Sequence, residues 1–342
     1  MVNHDPDPMR GWRRVKGVRR SMVKPILLIK GKGGLGNRML SAICGLAFAD
    51  LTGRTAIIDW RDGSYAPIGT NAYPLLFQTP ITQKCEAFDP VSTSVSPLIW
   101  AGNLNLTPQE MIEKFAPRSH SNPLAYRRFC VNLADLDTPQ DIAVFWSYLP
   151  KFKRIAHHLR RDSNFATRSE KDIIAGYLEQ FFTPNNRILQ QVNTVAATLT
   201  APSIGVHIRY TDRKIPLGPI KNALRQKLAE MPDASIFLAT DNADIQAQIA
   251  SEFSNVHHIN KHLPDDGSRL HWPTSDIEKL QEAENALIDM WLLSRCDHLI
   301  YSRHSTFSVT ASYLGNMSRT QLHDVDRYSP TVVAKRWVQA YA

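Results

Sequence analysis

The chain turns abruptly from apolar to charged within the run Ile204-Gly205-Val206-His207-Ile208-Arg209-Tyr210-Thr211-Asp212-Arg213. Its apolar start predicts a buried strand that ends among polar residues. His207 and Arg209 lie two residues apart and therefore share one face of this strand, whereas Asp212 and Arg213 fall in the loop beyond its carboxyl end. Ligands of open α/β sheets bind at that edge. The sequence therefore predicts a ligand site here.

The composition is that of a globular protein with room for two domains. The chain has 342 residues, of which 43% are hydrophobic, enough for sizeable cores. It has no apolar run of membrane-spanning length and no hydrophobic secretory segment at its start, so we expect a cytoplasmic protein. The cysteines lie far apart without paired spacing, which predicts reduced thiols and neither disulfides nor a zinc site: Cys44, Cys85, Cys130 and Cys296.

Most of the net positive charge lies in one short segment. The formal net charge is +8, and residues 1–24 supply five of these charges through seven Lys or Arg and two Asp. The remainder is close to neutral for its length, so we expect no nucleic-acid partner. The segment has almost no apolar periodicity, which predicts a disordered, solvated tail. Weak contact with a membrane surface is its functional alternative.

The folded part is predicted to open with a strand, a glycine-rich turn and a helix. Residues 25–29 form an apolar run that is typical of a buried parallel strand. Gly31-Lys32-Gly33-Gly34-Leu35-Gly36 follows, and Asn37 is predicted to cap the helix after it. A second strand at 55–59 completes a βαβ unit. Glycines at such a turn let a phosphate approach backbone N–H groups and the helix dipole.

The same segment also fits a dinucleotide-binding protein. It contains a literal G-x-G-x-x-G, and Asp59 ends the next strand, where a dinucleotide enzyme places its ribose-binding acid. An NAD(P)-dependent oxidoreductase that uses the loop at 31–36 is therefore the alternative function. Against it, the second strand leads into the polar loop Asp59-Trp60-Arg61-Asp62-Gly63 and not into another regular βαβ unit.

The second half of the chain predicts another α/β domain. Helical patterns cover 151–199, and strands then alternate with helices from residue 203 onward, including a long helix at 276–295 and a last helix that begins near Ser305 and Thr306. We therefore predict Rossmann-like domains at 25–185 and 186–342. Asp135 and Asp137 form a D-x-D pair, but Thr138-Pro139 follows them and favours a turn over a metal site.

Four segments occur in the order in which one enzyme family has its motifs. They are Gly33-Gly34-Leu35-Gly36, the run 207–213, Ala239-Thr240-Asp241-Asn242, and the run 289–297 that leads to Ser305-Thr306-Phe307. Together they resemble the GDP-fucose-dependent fucosyltransferases, in particular the NodZ-like α-1,6-fucosyltransferases. The resemblance implies a GT-B-like fold of two domains facing across a cleft. It also implies an inverting transfer of L-fucose from GDP-β-L-fucose to an oligosaccharide hydroxyl, with no metal or other cofactor.

The resemblance further implies a role for each motif residue. A guanidinium is always charged and can clamp phosphate oxygens, which suits Arg209 to the leaving pyrophosphate. Asp212 and Arg213 complete the implied catalytic set, with Asp212 orienting the site. The implied donor contacts are the β-phosphate loop Gly33, Gly34 and Gly36, the phosphate contacts Ser305 and Thr306, the nucleotide contact His207, the guanine-binding acid Asp289 and the orienting acid Asp241.

The resemblance says less about the acceptor site and the general base than about the donor site. NodZ-like enzymes imply a chitooligosaccharide-type acceptor and an α-1,6 linkage. The general base of the animal members has no counterpart, because no carboxylate occurs between Arg213 and Glu230. Asp59 or Asp62 could act instead, a dissociative transition state could need little base, or the chain could be an inactive GDP-sugar-binding protein. The predicted acceptor contacts are Asp59, Trp60, Asp62, Asn71 and Tyr73. Four further aromatic residues belong either to a sugar-binding groove or to the core: Trp100, Tyr126, Trp146 and Tyr148.

Overall fold

A computed structural model gives the fold. It describes residues 24–78, 88–118, 124–148, 150–210, 215–263 and 275–327, together with 329–330, 333–334 and 337. Nearly all of the predicted basic tail lies outside the described residues, as does the predicted catalytic pair Asp212 and Arg213.

A parallel sheet forms the first half of the fold. Its strands are β1 (Ile26–Lys30), β2 (Thr55–Asp59), β3 (Val95–Ser96) and β4 (Ile142–Phe145). The helices are α1 (Leu35–Thr52), α2 (Tyr73–Leu76), α3 (Pro108–Phe115), α4 (Phe152–Leu159) and α5 (Glu170–Phe181). The strand order is β2-β1-β4-β3, with every pair parallel. β1 and β4 lie in the centre and are buried throughout, which is why their sequences are almost continuously apolar.

The second half forms another parallel sheet. Its strands are β5 (Ser203–Ile208), β6 (Ser235–Thr240), β7 (Val256–His257), β8 (His298–Tyr301) and β9 (Leu322–Asp324). The helices are α6 (Asn186–Ala196), α7 (Leu217–Glu230), α8 (Ala243–Glu252), α9 (Asp276–Arg295) and α10 (Thr306–Leu314). The order β7-β6-β5-β8-β9 places the opening strand β5 at the centre. Its six residues are all buried.

Most predicted helices and strands are confirmed. The predicted N-cap of α1 is wrong, and one short strand was not predicted. The strand at 55–59 and the helix at 276–295 have the predicted bounds. Asn37 does not cap α1, because the backbone becomes helical earlier and Gly34 is the N-cap. Asn37 instead accepts a hydrogen bond from Thr306 Oγ1 at 2.6 Å. Strand β9 was not predicted, since three residues are too short for a periodic signal.

The two halves pack on each other through helices. α1 and α5 of the first half both contact α10 of the second half. Lys171 in α5 donates hydrogen bonds to the carbonyls of Asn316 and Met317, at 2.9 and 2.8 Å. One apolar core includes side chains from both halves, such as Met39 and Leu287. We propose the predicted division after residue 185 as the domain boundary.

Candidate active site

A cavity of about 390 Å³ lies between the carboxyl edge of the second sheet and the glycine loop before α1. β5 and β6 are parallel neighbours, so Arg209 and Asp241, which follow them, meet at one edge. Helix α9 and the start of α10 form the remaining wall. Nine predicted site residues line this cavity: Gly33, Gly34, Gly36, His207, Arg209, Asp241, Asp289, Ser305 and Thr306.

Two helices begin at the cavity wall. Gly34 is the N-cap of α1 and Ser305 is the N-cap of α10. At both helix starts, the described residues make no side-chain capping hydrogen bond. The first N–H groups of a helix lack partners and carry partial positive charge, which favours an anion. The two helix starts are close, because a Cβ added to Gly36 would lie 2.7 Å from the backbone of Thr306. This wall therefore suits a phosphate group.

Arg38 holds the glycine loop in place. Gly33 has a φ of +79°, in the left-handed region that favours glycine, and its carbonyl accepts a hydrogen bond from Arg38 Nε at 2.7 Å. The buried guanidinium also donates to both carboxylate oxygens of Asp62, at 3.0 and 2.5 Å, and to Ser64 Oγ. Ser64 and Tyr65 line the cavity. The ion pair thus ties two of the cavity walls together.

Asp59 and Asp62 do not have the properties of a general base. Burial raises the pKa of Asp59, but Lys30 and Arg61 outweigh this effect and hold the pKa at about 2. Burial likewise raises the pKa of Asp62, and the ion pair with Arg38 outweighs it and lowers the pKa. A base that works near neutral pH needs a higher pKa. We therefore no longer place either residue in that role.

Three predicted acceptor contacts belong to the core beside this loop. Trp60 and Tyr73 are 1% and 2% exposed, and neither lines the cavity. Tyr73 donates its hydroxyl proton to the carbonyl of Phe181 at 2.6 Å. Asn71 accepts from the Trp60 N–H at 2.9 Å and donates to the carbonyl of Ile58 at 2.8 Å. None of the three is among the residues that line the cavity, so this placement does not support an acceptor role.

The aromatics between 75 and 150 divide between core and cavity. Trp100 and Trp146 are fully buried, and Trp100 Nε1 donates to the carbonyl of Phe129 at 2.7 Å. Tyr126 packs against Trp146, with ring centroids 5.1 Å apart. Tyr148 is 47% exposed and lines the cavity. Of these four, Tyr148 is thus the one placed to contact a ligand.

We expect Asp62→Asn to lower the free energy of unfolding by about 3 kcal/mol, because it leaves the buried Arg38 guanidinium without its counter-charge. Urea unfolding measures this change. Asp276→Asn is the matched control, since it breaks an exposed ion pair with Lys279 and should cost less than about 1 kcal/mol. Equal losses in the two variants would contradict the role assigned to the Arg38–Asp62 pair.

The carboxyl end of β5 carries a neutral histidine and a charged arginine. Burial lowers the pKa of His207 to about 3, and Arg209 and Lys261 act in the same direction. The imidazole is therefore uncharged at neutral pH. Its Nδ1 lies 2.5 Å from Ser308 Oγ, and its ring stacks on Phe307 with centroids 4.9 Å apart. Arg209 is half-buried and lines the cavity, and its guanidinium carries a positive charge.

Acidic and hydroxyl groups also line the cavity. Asp241 Oδ1 accepts from the backbone N–H of Tyr210 at 2.7 Å, which fixes the end of β5. Among the described residues, three buried cavity-lining oxygens have no hydrogen-bond partner: Asp289 Oδ1, Ser305 Oγ and Thr240 Oγ1. Buried polar atoms are usually paired. These three are placed to bond a polar ligand.

Sequence reasoning missed several cavity residues. The cavity is also lined by residues that were not among the predicted site residues: Ser64, Tyr65, Lys261, Glu282 and Asn285. Burial, with the nearby Glu278 carboxylate, raises the pKa of Glu282 to about 7. The spacing of residues 282, 285, 286 and 289 on one face of α9 is a signal that could have found part of this set.

Over the described ranges, no three His, Cys, Asp or Glu side chains are grouped so that they could hold a metal ion. Asp137 N–H bonds to Asp135 Oδ1 at 3.0 Å, as in the predicted turn. No helix in the same part of the chain has the length and apolarity needed to cross a membrane.

Solved structures share this fold at low sequence identity. The structure titled NodZ alpha-1,6-fucosyltransferase soaked with GDP-fucose has 19% identity and a TM-score of 0.60, covering 85% of this chain and 93% of that one. Fucosyltransferase NodZ from Bradyrhizobium has 19% identity and a TM-score of 0.58, over 84% and 93%. A mutant of Arabidopsis thaliana FUT1 in complex with GDP has 15% identity and a TM-score of 0.53, over 86% and 69%. The fold is GT-B-like.

Sequence comparison identifies the family. No curated protein sequence is significantly similar to this chain. A family model described as nodulation protein Z (NodZ) matches residues 167–337, half of the chain. The matched segment runs from before α5 to beyond β9, and it includes every cavity residue of the second sheet. The chain therefore belongs to the NodZ family.

Proposed function

We propose that this chain is an inverting glycosyltransferase that moves L-fucose from GDP-β-L-fucose to a hydroxyl of an oligosaccharide. One observation carries the proposal: a single cavity brings together a guanidinium, two helix N-termini and a buried carboxylate with an unpartnered oxygen. These groups match the pyrophosphate and the base of a nucleotide sugar. Membership of the NodZ family and the GDP-fucose named for its solved relative support the same donor.

The donor is proposed to lie along the cavity with its base at α9 and its phosphates at the helix N-termini. The Asp289 carboxylate accepts hydrogen bonds from N1–H and the exocyclic amine of guanine, groups that adenine does not offer in this pattern. The β-phosphate meets the backbone at Gly34 and the hydroxyls of Ser305 and Thr306. Arg209 faces the pyrophosphate from the edge of the sheet.

In the reaction, the bond between fucose C1 and the β-phosphate oxygen breaks, and its electron pair leaves with GDP. The acceptor oxygen forms a bond to C1 from the opposite face, which inverts the configuration, and its proton is lost. Arg209 and the two helix N-termini stabilise the charge that develops on the leaving pyrophosphate. We propose that no metal ion is needed, because these groups supply the positive charge.

Proton removal is proposed to follow a dissociative transition state that needs little help from a base. Asp59 and Asp62 are ion-paired and have lowered pKa values, so neither fits the role. In a dissociative transition state, C1 gains oxocarbenium character before the acceptor bond is complete. The acceptor hydroxyl becomes acidic only as that bond forms, and water can then take its proton.

The oxidoreductase alternative is not supported. A ribose-binding acid must be open to its ligand, whereas Asp59 is 4% exposed and bonded to both Lys30 and Arg61. The start of α1 also packs closely on Thr306, which leaves little room for a dinucleotide to cross the glycine loop at Gly36. The inactive-protein alternative is not supported either, and the groups proposed to stabilise the leaving pyrophosphate line one cavity.

The acceptor is proposed to be a chitooligosaccharide-like glycan that receives fucose by an α-1,6 linkage to GlcNAc. We expect incubation with GDP-fucose and a chitooligosaccharide to release GDP and to add one fucose to the acceptor, as detected by mass spectrometry. Periodate oxidation and methylation analysis locate the linkage. GDP release without a fucosylated product would contradict the acceptor, and the absence of both products with every glycan tested would contradict the transferase itself.

A further inference from the structure

The buried Asp289 carboxylate has one paired and one unpaired oxygen. Asp289 lies on α9, and its Oδ2 accepts a hydrogen bond from Lys261 Nζ in an ion pair. Lys261 comes from the segment that follows β7. The two side chains are 4% and 9% exposed. Among the described residues, Oδ1 has no hydrogen-bond partner, and both residues line the cavity.

Recognition of guanine requires this carboxylate to be charged. An ionised carboxylate only accepts hydrogen bonds, which matches the two donors that guanine presents, N1–H and the exocyclic amine. A protonated carboxyl would turn a donor toward one of them. Burial favours the protonated form and raises the pKa of Asp289, while Lys261 opposes this effect. The ammonium group therefore counteracts the main physical obstacle to base recognition.

We propose that Lys261 is a positioning residue that sets the guanine specificity of this site, by holding the Asp289 carboxylate ionised and with Oδ1 turned toward the base. The inference rests on the proposed GDP-sugar function and deepens it. Lys261 acts through Asp289, because its ammonium group is engaged by Oδ2. The ion pair is present before the nucleotide arrives, so the acceptor is preorganised for guanine.

Other titratable groups lie around Asp289 or line the same cavity. His258 acts on the Asp289 carboxyl electrostatically but forms its hydrogen bond with the carbonyl of Ile259. His207 is uncharged, and Arg209 acts electrostatically on His207 and Tyr65. His262 and Glu282 also line the cavity. Lys261 is the cation for which a direct bond to Asp289 is found within the described ranges.

Calorimetric titration of GDP and of guanosine into the full-length chain tests the inference. The wild type, Lys261→Met and Lys261→Arg are compared between about pH 8 and pH 5, because buried carboxyls titrate in this range. In Lys261→Met the carboxyl loses its counter-charge, so its pKa rises further. An acid with a raised pKa becomes protonated as the pH falls. We therefore expect the variant to bind both ligands about tenfold or more weakly at the low end and to recover toward high pH.

The controls separate this role from a structural one. Lys261→Arg keeps the positive charge and should restore most of the affinity and the wild-type pH profile. Lys279→Met removes a half-buried lysine of α9 that pairs with Asp276 and should bind like the wild type. The profile of each variant is read relative to that of the wild type, because Glu282 titrates in all of them. If Lys261→Met does not fold, Lys261→Gln is measured in its place.

Three outcomes would overturn the inference. The first is unchanged binding in Lys261→Met at every pH. The second is a uniform loss for GDP with guanosine unaffected, since Lys261 would then be a phosphate contact. The third is an equal loss for GDP and for ADP, which is titrated in parallel, because that would indicate general damage to the cavity. A wild type that fails to bind GDP would contradict the proposed function itself, a result distinct from all three.

Discussion

Replacement of Arg209 by alanine is expected to lower kcat for fucosyl transfer by about 10²–10³-fold, or about 3–4 kcal/mol of transition-state stabilisation. Arg209 lies at the carboxyl edge of β5, on the wall opposite the glycine loop. The charge that it faces grows as the bond between C1 and the β-phosphate oxygen breaks. Its loss should therefore affect the chemical step more strongly than the binding of the intact donor.

Initial rates of GDP release at saturating acceptor measure this effect, and donor titration gives the change in KM separately. Arg209→Lys should retain part of the activity, because a lysine keeps the charge but cannot clamp two oxygens. Arg225→Ala removes an exposed arginine that pairs with Glu252 and should leave kcat unchanged. A kcat for Arg209→Ala within threefold of the wild-type value would contradict the assigned role.

Substitution of Gly36 by alanine is expected to lower the free energy of unfolding by about 1–3 kcal/mol, the usual cost of overpacking, and to weaken donor binding with it. The new methyl group would lie 2.7 Å from the carbonyl carbon and oxygen of Thr306 and 2.8 Å from the Phe307 nitrogen. These are backbone atoms that cannot rotate away. The starts of α1 and α10 would have to separate, and both are proposed to bind the same phosphate.

Chemical unfolding and GDP titration of the same variant measure the two effects together. Gly218→Ala is the matched control, because Gly218 lies in helix α7 and an added Cβ would meet no atom within 4 Å. That change should be neutral or slightly stabilising, since alanine favours helices over glycine. If Gly36→Ala were as stable as the control and bound GDP normally, the close approach of the two helices would not matter for the site.

Local sequence signals predicted the parts of this molecule that depend on neighbouring residues. The apolar run before His207 predicted a buried strand, and the polar residues after it predicted a site at the carboxyl edge. The same holds for α9, which has the bounds that were predicted. The family was predicted from short motifs and is confirmed by the match over residues 167–337. The roles given to individual residues stay predictions.

Pairings between distant residues were beyond local reasoning. Asp62 looked like a free carboxylate in a polar loop, but its partner Arg38 lies 24 residues earlier, on the first turns of α1. Lys261 and Asp289 are separated by 28 residues and meet only in the folded chain. Trp60 and Tyr73 are aromatic residues, a type that occurs both in sugar-binding grooves and in protein cores. Burial distinguishes the two, and burial depends on the whole fold.

The most direct test of the central claim is calorimetric titration of GDP, GDP-fucose, ADP and NAD into the wild type and Arg209→Ala, without added divalent metal. The account predicts that GDP and GDP-fucose bind the wild type, that ADP and NAD bind at least tenfold more weakly, and that Arg209→Ala binds GDP more weakly than the wild type does. Tight NAD binding that survives the substitution would contradict it, because the ligand site would then be the loop at 31–36 of a dinucleotide-binding protein.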